Sequence, residues 1–238
     1  MSTLKLHNIE PATGTDVALG AAGDSITVSG DSLKTNTIKD AGGNALFTSN
    51  GAGVLSGINS GLTPGGHKLI LNQACSGSSS VEFTTGIDST YDKYLFVMVN
   101  LDISNEQEIR IAFYTNDWTP TVTSAFWESR HEAGDATGWA YHTSYDEQQA
   151  AMPSNITRNH GNNADCGVNG FVELYNPEET TYVTQYSIET FYEDTSAGAN
   201  HTYVTGYVNS AHALTGCRFT IADGSAFTGG NIKMYGIV

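Results

Sequence analysis

The chain has 238 residues, a net charge of −15 and an isoelectric point near 4.6. Nucleic-acid binding requires a basic surface, which this composition excludes, and an anionic membrane surface would repel the chain. No apolar run reaches membrane-spanning length, and the first residues lack the apolar stretch of a signal peptide, so we expect neither membrane insertion nor signal-dependent export.

The N-terminal segment, residues 1–66, is poor in large side chains. Phe47 is its only aromatic residue, and the segment contains 12 of the 26 glycines. Turns rich in Gly, Asp and Asn separate short β-like pieces at 17–19, 25–28, 37–39, 45–48 and 53–55. Such pieces cannot bury an apolar face within one chain. We therefore expect an extended, Gly-rich N-terminal arm or short β shaft that intertwines in a homotrimer.

Residues 56–66, SGINSGLTPGG, are typical of a linker, so we place a domain boundary between residues 66 and 67. Residues 67–238 contain longer runs of β-branched and aromatic residues. Ten of these runs are predicted as strands: 68–74, 80–85, 93–101, 108–114, 122–130, 170–175, 181–192, 202–208, 217–222 and 231–237. The best helix candidate is the short run 144–152. Ten strands without strand–helix alternation predict an all-β fold, an antiparallel β-sandwich of jelly-roll type.

The triplet Gly-Asp-Ser occurs at 23–25 and 30–32, and the first copy resembles the nucleophile block of the Gly-Asp-Ser esterases and lipases. A serine hydrolase also needs a histidine base and an oxyanion hole. In that family the histidine lies three residues after an aspartate, and none of the seven histidines here has that spacing. We therefore interpret both triplets as turns and expect no catalytic residue.

Other candidates for metal or acid–base chemistry are incomplete. His131-Glu132 begins like the zinc motif HExxH, but position 135 is Asp, so the second ligand is missing. A carboxylate pair for glycoside hydrolysis could be drawn from Glu128, Glu132 and Asp135, whose separation the sequence does not fix. A solvated acidic loop explains three further carboxylates better than a calcium site does: Asp102, Glu106 and Glu108. No CxxC pair exists, and three free, buried thiols are expected: Cys75, Cys166 and Cys217. We expect no metal or cofactor.

Aromatic side chains are the best candidates for ligand binding, because aromatic faces bind the apolar faces of sugar rings. The candidate glycan-binding residues are Trp118, Trp139, Tyr141 and Tyr145. The polar stretch 132–165 is a long connection, and such connections often carry function on β scaffolds. The alternative is that Trp127 belongs to the core while Trp118 and Trp139 pack under loops.

Two parts of the sequence resemble virion appendage proteins of tailed phages, those of marine phages infecting cyanobacteria and other aquatic bacteria above all. The first part is NIEPATGTDVALGAAGDSITVSGDS followed by TIKDAGGNALFTSNGAGVLSG, which is similar to their N-terminal repeats. The second runs from VEFTTGIDSTYDKYLFVMVNL through VELYNPEETTYVTQY to GGNIKMYGIV and is similar to their C-terminal sandwich. The resemblance covers nearly the whole chain.

The resemblance implies a non-enzymatic, trimeric virion structural protein, assembled in the host cytoplasm and displaying a β-rich tip that binds host-surface glycan or protein. The N-terminal arm would attach it to capsid or tail proteins, and Leu4, Leu6 and Ile9 are the candidate anchoring residues. A 66-residue shaft is short for a tail fibre, which favours a head decoration, a head fibre or a small tail appendage. The alternative function is a carbohydrate-binding module acting in adhesion, and an enzyme is the third.

Overall fold

A computed structural model describes residues 35, 37–40, 42–49, 52, 55–56, 66–163 and 165–237. The chain divides into two compact units, Met1–Pro64 and Gly65–Val238. In the first unit an antiparallel sheet in the order β1-β2-β3 consists of β1 (Thr37–Lys39), β2 (Ala45–Ser49) and β3 (Leu55–Ser56). In the turn between β1 and β2, Asp40 accepts the backbone N–H of Asn44 at 2.8 Å. The predicted pieces 17–19 and 25–28 lie outside the described residues.

The described residues of the second unit form thirteen strands, which we number onward in chain order. They are β4 (His67–Ala74), β5 (Ser80–Phe83), β6 (Lys93–Ile103), β7 (Ile109–Tyr114), β8 (Thr121–Glu132), β9 (Thr137–Tyr141), β10 (Glu147–Ala151), β11 (Ser154–Asn155), β12 (Val168–Tyr175), β13 (Thr184–Glu193), β14 (Gly198–Val208), β15 (Gly216–Ile221) and β16 (Phe227–Ile237). All of the pairings between them are antiparallel.

These strands form two sheets. The large sheet has the order β10-β8-β14-β13-β12-β6-β16-β4, with β9 paired to β8, and the small sheet has the order β11-β7-β15-β5. Eight strands pass back and forth between the sheets along the chain: β4, β6, β12 and β16 lie in the large sheet, and β5, β7, β11 and β15 lie in the small one. The other five, β8, β9, β10, β13 and β14, extend the large sheet beyond β12. We call these five the added strands.

The inner faces of the two sheets pack on each other to form the core. Side chains alternate between buried and more exposed positions along β6, β8, β12 and β13, as expected for strands with one buried face. Phe96 of the large sheet lies 5.2 Å from Phe83 and 6.1 Å from Phe219 of the small sheet, measured between ring centroids. All three rings are fully buried, so this aromatic cluster joins the two sheets.

The predicted all-β, antiparallel class is confirmed. Each of the ten predicted runs overlaps an observed strand, whereas β9 and β11 were not predicted. The best helix candidate, 144–152, forms no helix, because Glu147–Ala151 pairs with the edge of β8 instead. The run has no apolar spacing of helical period, and the edge of β8 offers unpaired backbone groups to it. A bulge accompanies this pairing, with Gln149 at a φ of 51°.

The three cysteines are buried and free, as predicted. Burial raises the pKa of the Cys75 thiol to about 11, so this sulfur stays protonated at neutral pH. Within the part of the chain that the structure describes, no helix is long and apolar enough to cross a membrane.

Truncation of the central aromatic cluster tests this description of the core. Phe96→Ala should lower the free energy of unfolding by about 3–5 kcal/mol, because it leaves a cavity between the two sheets. Phe171→Ala is the matched control, since Phe171 lies on the neighbouring strand with its side chain on the outer face. Urea unfolding should show a clearly smaller loss for the control, and equal losses would contradict the assignment of the two faces.

Candidate functional site: an exposed aromatic row

The outer face of the added strands carries a cluster of aromatic side chains. Antiparallel register places Trp127 of β8 opposite Tyr141 of β9 on one side and opposite Tyr203 of β14 on the other. Two residues further along β8, Ser129 lies opposite Trp139 of β9 on one side and opposite His201 of β14 on the other. The outer face is thus aromatic across three neighbouring strands, and β13 adds Phe191 from a fourth strand.

The rings form a continuous series of contacts. Trp127 lies 4.7 Å from Tyr141 and stacks on Trp139 at 5.9 Å with an interplanar angle of 24°. Trp139 contacts Tyr203 at 6.2 Å, all distances being between ring centroids. His201 lies 3.9 Å from Tyr203 and 4.3 Å from Phe191 of β13, which ends the series. We call this set the aromatic row; its members are Tyr141, Trp127, Trp139, Tyr203, His201 and Phe191.

Several rings of the row face solvent. Trp139 is 65% exposed, while Tyr141 and Phe191 are each 41% exposed. A large exposed apolar cluster on a folded domain is typical of a binding surface, because such area is costly to leave in water. Ring contacts within the row hold the side chains in place, so the surface is organised before any ligand arrives.

Polar groups lie within and beside the row. His201 is within 3.1 Å of Glu189, from its Nε2 to the carboxylate Oε2. The hydroxyl of Tyr141 donates to Asp146, and this hydrogen bond raises the pKa of Tyr141. These groups supply directional hydrogen bonds next to aromatic faces, which is the combination that orients a polyhydroxylated ligand.

Two shallow depressions flank the row on the same face. One has a volume of about 430 Å³, and its lining residues are Ser129, Arg130, His131, Phe191, Tyr192, Ala199, Asn200 and His201. The other, of about 620 Å³, lies toward the opposite end of the strands; the side chains that line it on the outer face are Thr123, Ala125, Tyr175, Gln185, Ser187, Thr205 and Tyr207. The row and both depressions form one elongated surface.

Of the four predicted glycan-binding residues, the structure brings Trp139 and Tyr141 together on β9. Trp118 lies elsewhere, packed 5.2 Å from Tyr114 with the guanidinium of Arg218 4.4 Å from its ring. Tyr145 packs 5.4 Å from the buried Phe126 of the inner face.

Sequence analysis did not select the other members of the aromatic row. Trp127 was the alternative core residue, but it lies on the outer face and is absent from the buried set. Tyr203, His201 and Phe191 were not candidates at all. The two-residue period of a strand was the available signal. If the apolar Phe126 and Val204 face the core, their neighbours Trp127 and Tyr203 face outward.

A buried ionic cluster lies on the inner face of β8, away from the row. Glu128 is 3% exposed and accepts a hydrogen bond from Arg158 Nη1 at 2.7 Å, and His142 Nε2 lies 3.3 Å from the same oxygen. Burial and the neighbouring Arg158 lower the pKa of His142. Arg158 is the direct partner of this carboxylate, so the geometry is that of a structural ion pair.

The carboxylates considered for glycoside hydrolysis do not face a common cleft. Glu128 is buried with Arg158, and Glu132 is paired with Arg130 at 3.2 Å. Asp135 is 97% exposed and lies next to His131. Among the described residues, no group of three His, Cys, Asp or Glu side chains is placed to hold a metal ion. Leu4, Leu6, Ile9 and both Gly-Asp-Ser triplets lie outside the described residues.

Comparison with protein-family models, with curated proteins and with solved structures finds no match to this chain in any of the three searches.

Removal of one partner tests the structural interpretation of the Glu128 ion pair. Arg158→Met should lower the free energy of unfolding by about 3 kcal/mol, because it leaves a buried carboxylate without its arginine and with only His142 beside it. The double variant Glu128→Gln/Arg158→Met should recover most of this loss in urea unfolding. A double variant as unstable as the single one would contradict the interpretation.

His160 predicts acid sensitivity of the fold. It is fully buried between Gln107 and Asp194, and neither ring nitrogen has a hydrogen-bond partner. Burial lowers the pKa of His160 from 6.5 to about 4, with Asp102 acting in the opposite direction. Between these two values the unfolded chain binds a proton that the folded chain does not, so stability falls as the pH falls.

The expected loss from this histidine is about 3 kcal/mol between pH 7 and pH 4, at about 1.4 kcal/mol per unit of pKa difference. His160→Gln should therefore flatten the pH dependence of the free energy of unfolding over this range. His131→Gln is the matched control, because His131 is 61% exposed, and it should keep the wild-type slope. Equal slopes for the two variants would rule out His160 as the source.

Proposed function

We propose that this chain is a non-enzymatic virion structural protein of a tailed phage, which displays a recognition surface on its β-sandwich. The N-terminal arm attaches a homotrimer to capsid or tail proteins, and the sandwich faces the host surface. The virion setting and the localisation rest on the sequence resemblance. The recognition role rests on the aromatic row, which is the observation that carries the proposal.

We also propose that the second unit is a jelly roll with an extended large sheet. Support comes from the strand order. The eight framework strands alternate between the two sheets along the chain, except that β7 and β11 follow one another in the small sheet. Four strands in each sheet, in the orders β4-β16-β6-β12 and β5-β15-β7-β11, suit an eight-stranded double-sheet jelly roll. The added strands are inserted after β7 and after β12.

The location of the aromatic row supports a recognition role. Every ring of the row belongs to an added strand, namely β8, β9, β13 or β14. These strands are not needed for the eight-stranded framework, and their outer face remains partly exposed. Function is commonly built onto a framework in this way, through insertions that the core does not require.

The second candidate is a carbohydrate-binding module that acts in adhesion without a virion. The same aromatic row favours it, because exposed aromatic rings with adjacent polar groups suit sugar rings. The two candidates differ in assembly, since only the first needs an N-terminal arm that joins chains.

Light scattering on the full chain and on the fragment 67–238 tests the proposed assembly. The fragment contains the whole core of the second unit and should be a monomer. The full chain should be a trimer of 25.3 kDa chains. A full chain with the same oligomeric state as the fragment would contradict the assembly role of residues 1–66 and would favour the module.

A further inference from the structure

We infer that the aromatic row and its two flanking depressions bind an uncharged polysaccharide chain. The inference deepens the proposed recognition function and rests on it. It follows from three properties of the outer face of the added strands, namely its charge, its length and the mixture of aromatic and hydrogen-bonding side chains.

The charge of this face excludes an acidic ligand. Among the described residues, no lysine or arginine points outward from β8, β9, β13 or β14, whereas Glu189 and Glu193 do. Arg130, at the margin of one depression, is already paired with Glu132 at 3.2 Å. Lys93, on β6, is paired with Glu173 at 2.6 Å. A uronic-acid or sulfated polymer would meet carboxylates here and no lysine or arginine free to pair with it, within a protein of net charge −15.

The length of the surface fits a polymer better than a single sugar. Along β14 the two depressions run from Ala199 to Tyr207, eight residues apart, which is about 27 Å at 3.4 Å per residue. Across the strands the row extends from Tyr141 on β9 to Phe191 on β13, three strand spacings or about 14 Å. One sugar ring covers only one or two of these aromatic rings, so an occupant that uses the whole surface has several units.

The side chains of the face provide both kinds of contact that a neutral sugar needs. Trp139 and Phe191 offer apolar ring faces, while Glu189 and His201 offer hydrogen-bonding atoms beside Tyr203 and Phe191. A second copy of this chain is a poorer occupant, because protein interfaces are depleted of charged groups and Glu189 lies among the rings of this face, opposite Tyr203.

Native affinity electrophoresis of the full chain tests the inference. Its net charge of −15 drives it toward the anode, and a soluble polysaccharide in the gel retards it only if the two bind. The neutral probes are a β-glucan, a mannan and a galactan, and the acidic probes are alginate and a sulfated galactan. We expect retardation by at least one neutral probe and by neither acidic probe.

Two variants connect the retardation to the row. Trp139→Ala and Phe191→Ala should each weaken binding about tenfold, because each removes an exposed aromatic contact. Tyr182→Ala is the matched control, since Tyr182 is a 74% exposed aromatic residue outside the row, and it should bind like the wild type. Urea unfolding of the same variants checks that the fold is retained.

Three results would overturn the inference: no retardation by any neutral probe, retardation by the acidic probes, or a change of molecular mass in Trp139→Ala or Phe191→Ala. The last result would identify the row as an interface between copies of the chain. The inference and the proposed function fail separately. If the full chain is a trimer that no neutral probe retards, the assembly role stands and polysaccharide binding is wrong. If it is a monomer that a neutral probe retards, polysaccharide binding stands and the assembly role is wrong.

Discussion

Alternation of side chains along each strand is the constraint on which the aromatic row depends. Phe126 and Val204 are buried on the inner face. Their sequence neighbours Trp127 and Tyr203 must therefore point outward. A shift of one residue in the pairing of β8 with β14 would bury the aromatic rings and expose the core. Packing of the inner faces, and not any contact within the row, therefore fixes the register that brings the rings together.

Part of the inner face of the added strands is polar, and its buried hydroxyl groups need hydrogen-bond partners. Thr190 and Thr202 are fully buried, and both hydroxyls donate to the carbonyl of Ile156, at 3.1 and 2.9 Å. Nearby, the backbone N–H of Arg158 donates to the hydroxyl of Tyr192 at 2.9 Å. The segment after β11 thus satisfies buried polar groups that an apolar sheet could not. His160, in the same segment, has no such partner, and its neutral form is the one compatible with burial.

The sequence was sufficient for the class of fold and for its main strands, because β-branched and aromatic runs bounded by turns are local signals. The sequence did not predict the strand within 144–152, because an edge strand takes its conformation from the neighbouring strand to which it is hydrogen-bonded. For a related reason, only two of the six rings of the aromatic row, Trp139 and Tyr141, were candidates from the sequence. Trp139 and Tyr141 are close in sequence, whereas Tyr203 reaches them only through the register of β14 with β8, a long-range pairing that composition does not specify.

The core and the aromatic row lie on opposite faces of the added strands, so a change in one need not disturb the other. Trp139 is 65% exposed, so little of its area is buried on folding and its identity adds little to stability. The added strands nevertheless share backbone pairing with β12, so their outer face inherits the rigidity of the whole large sheet. Outward residues of the row can be substituted at small cost to the fold, because the inward residues that set the register stay the same.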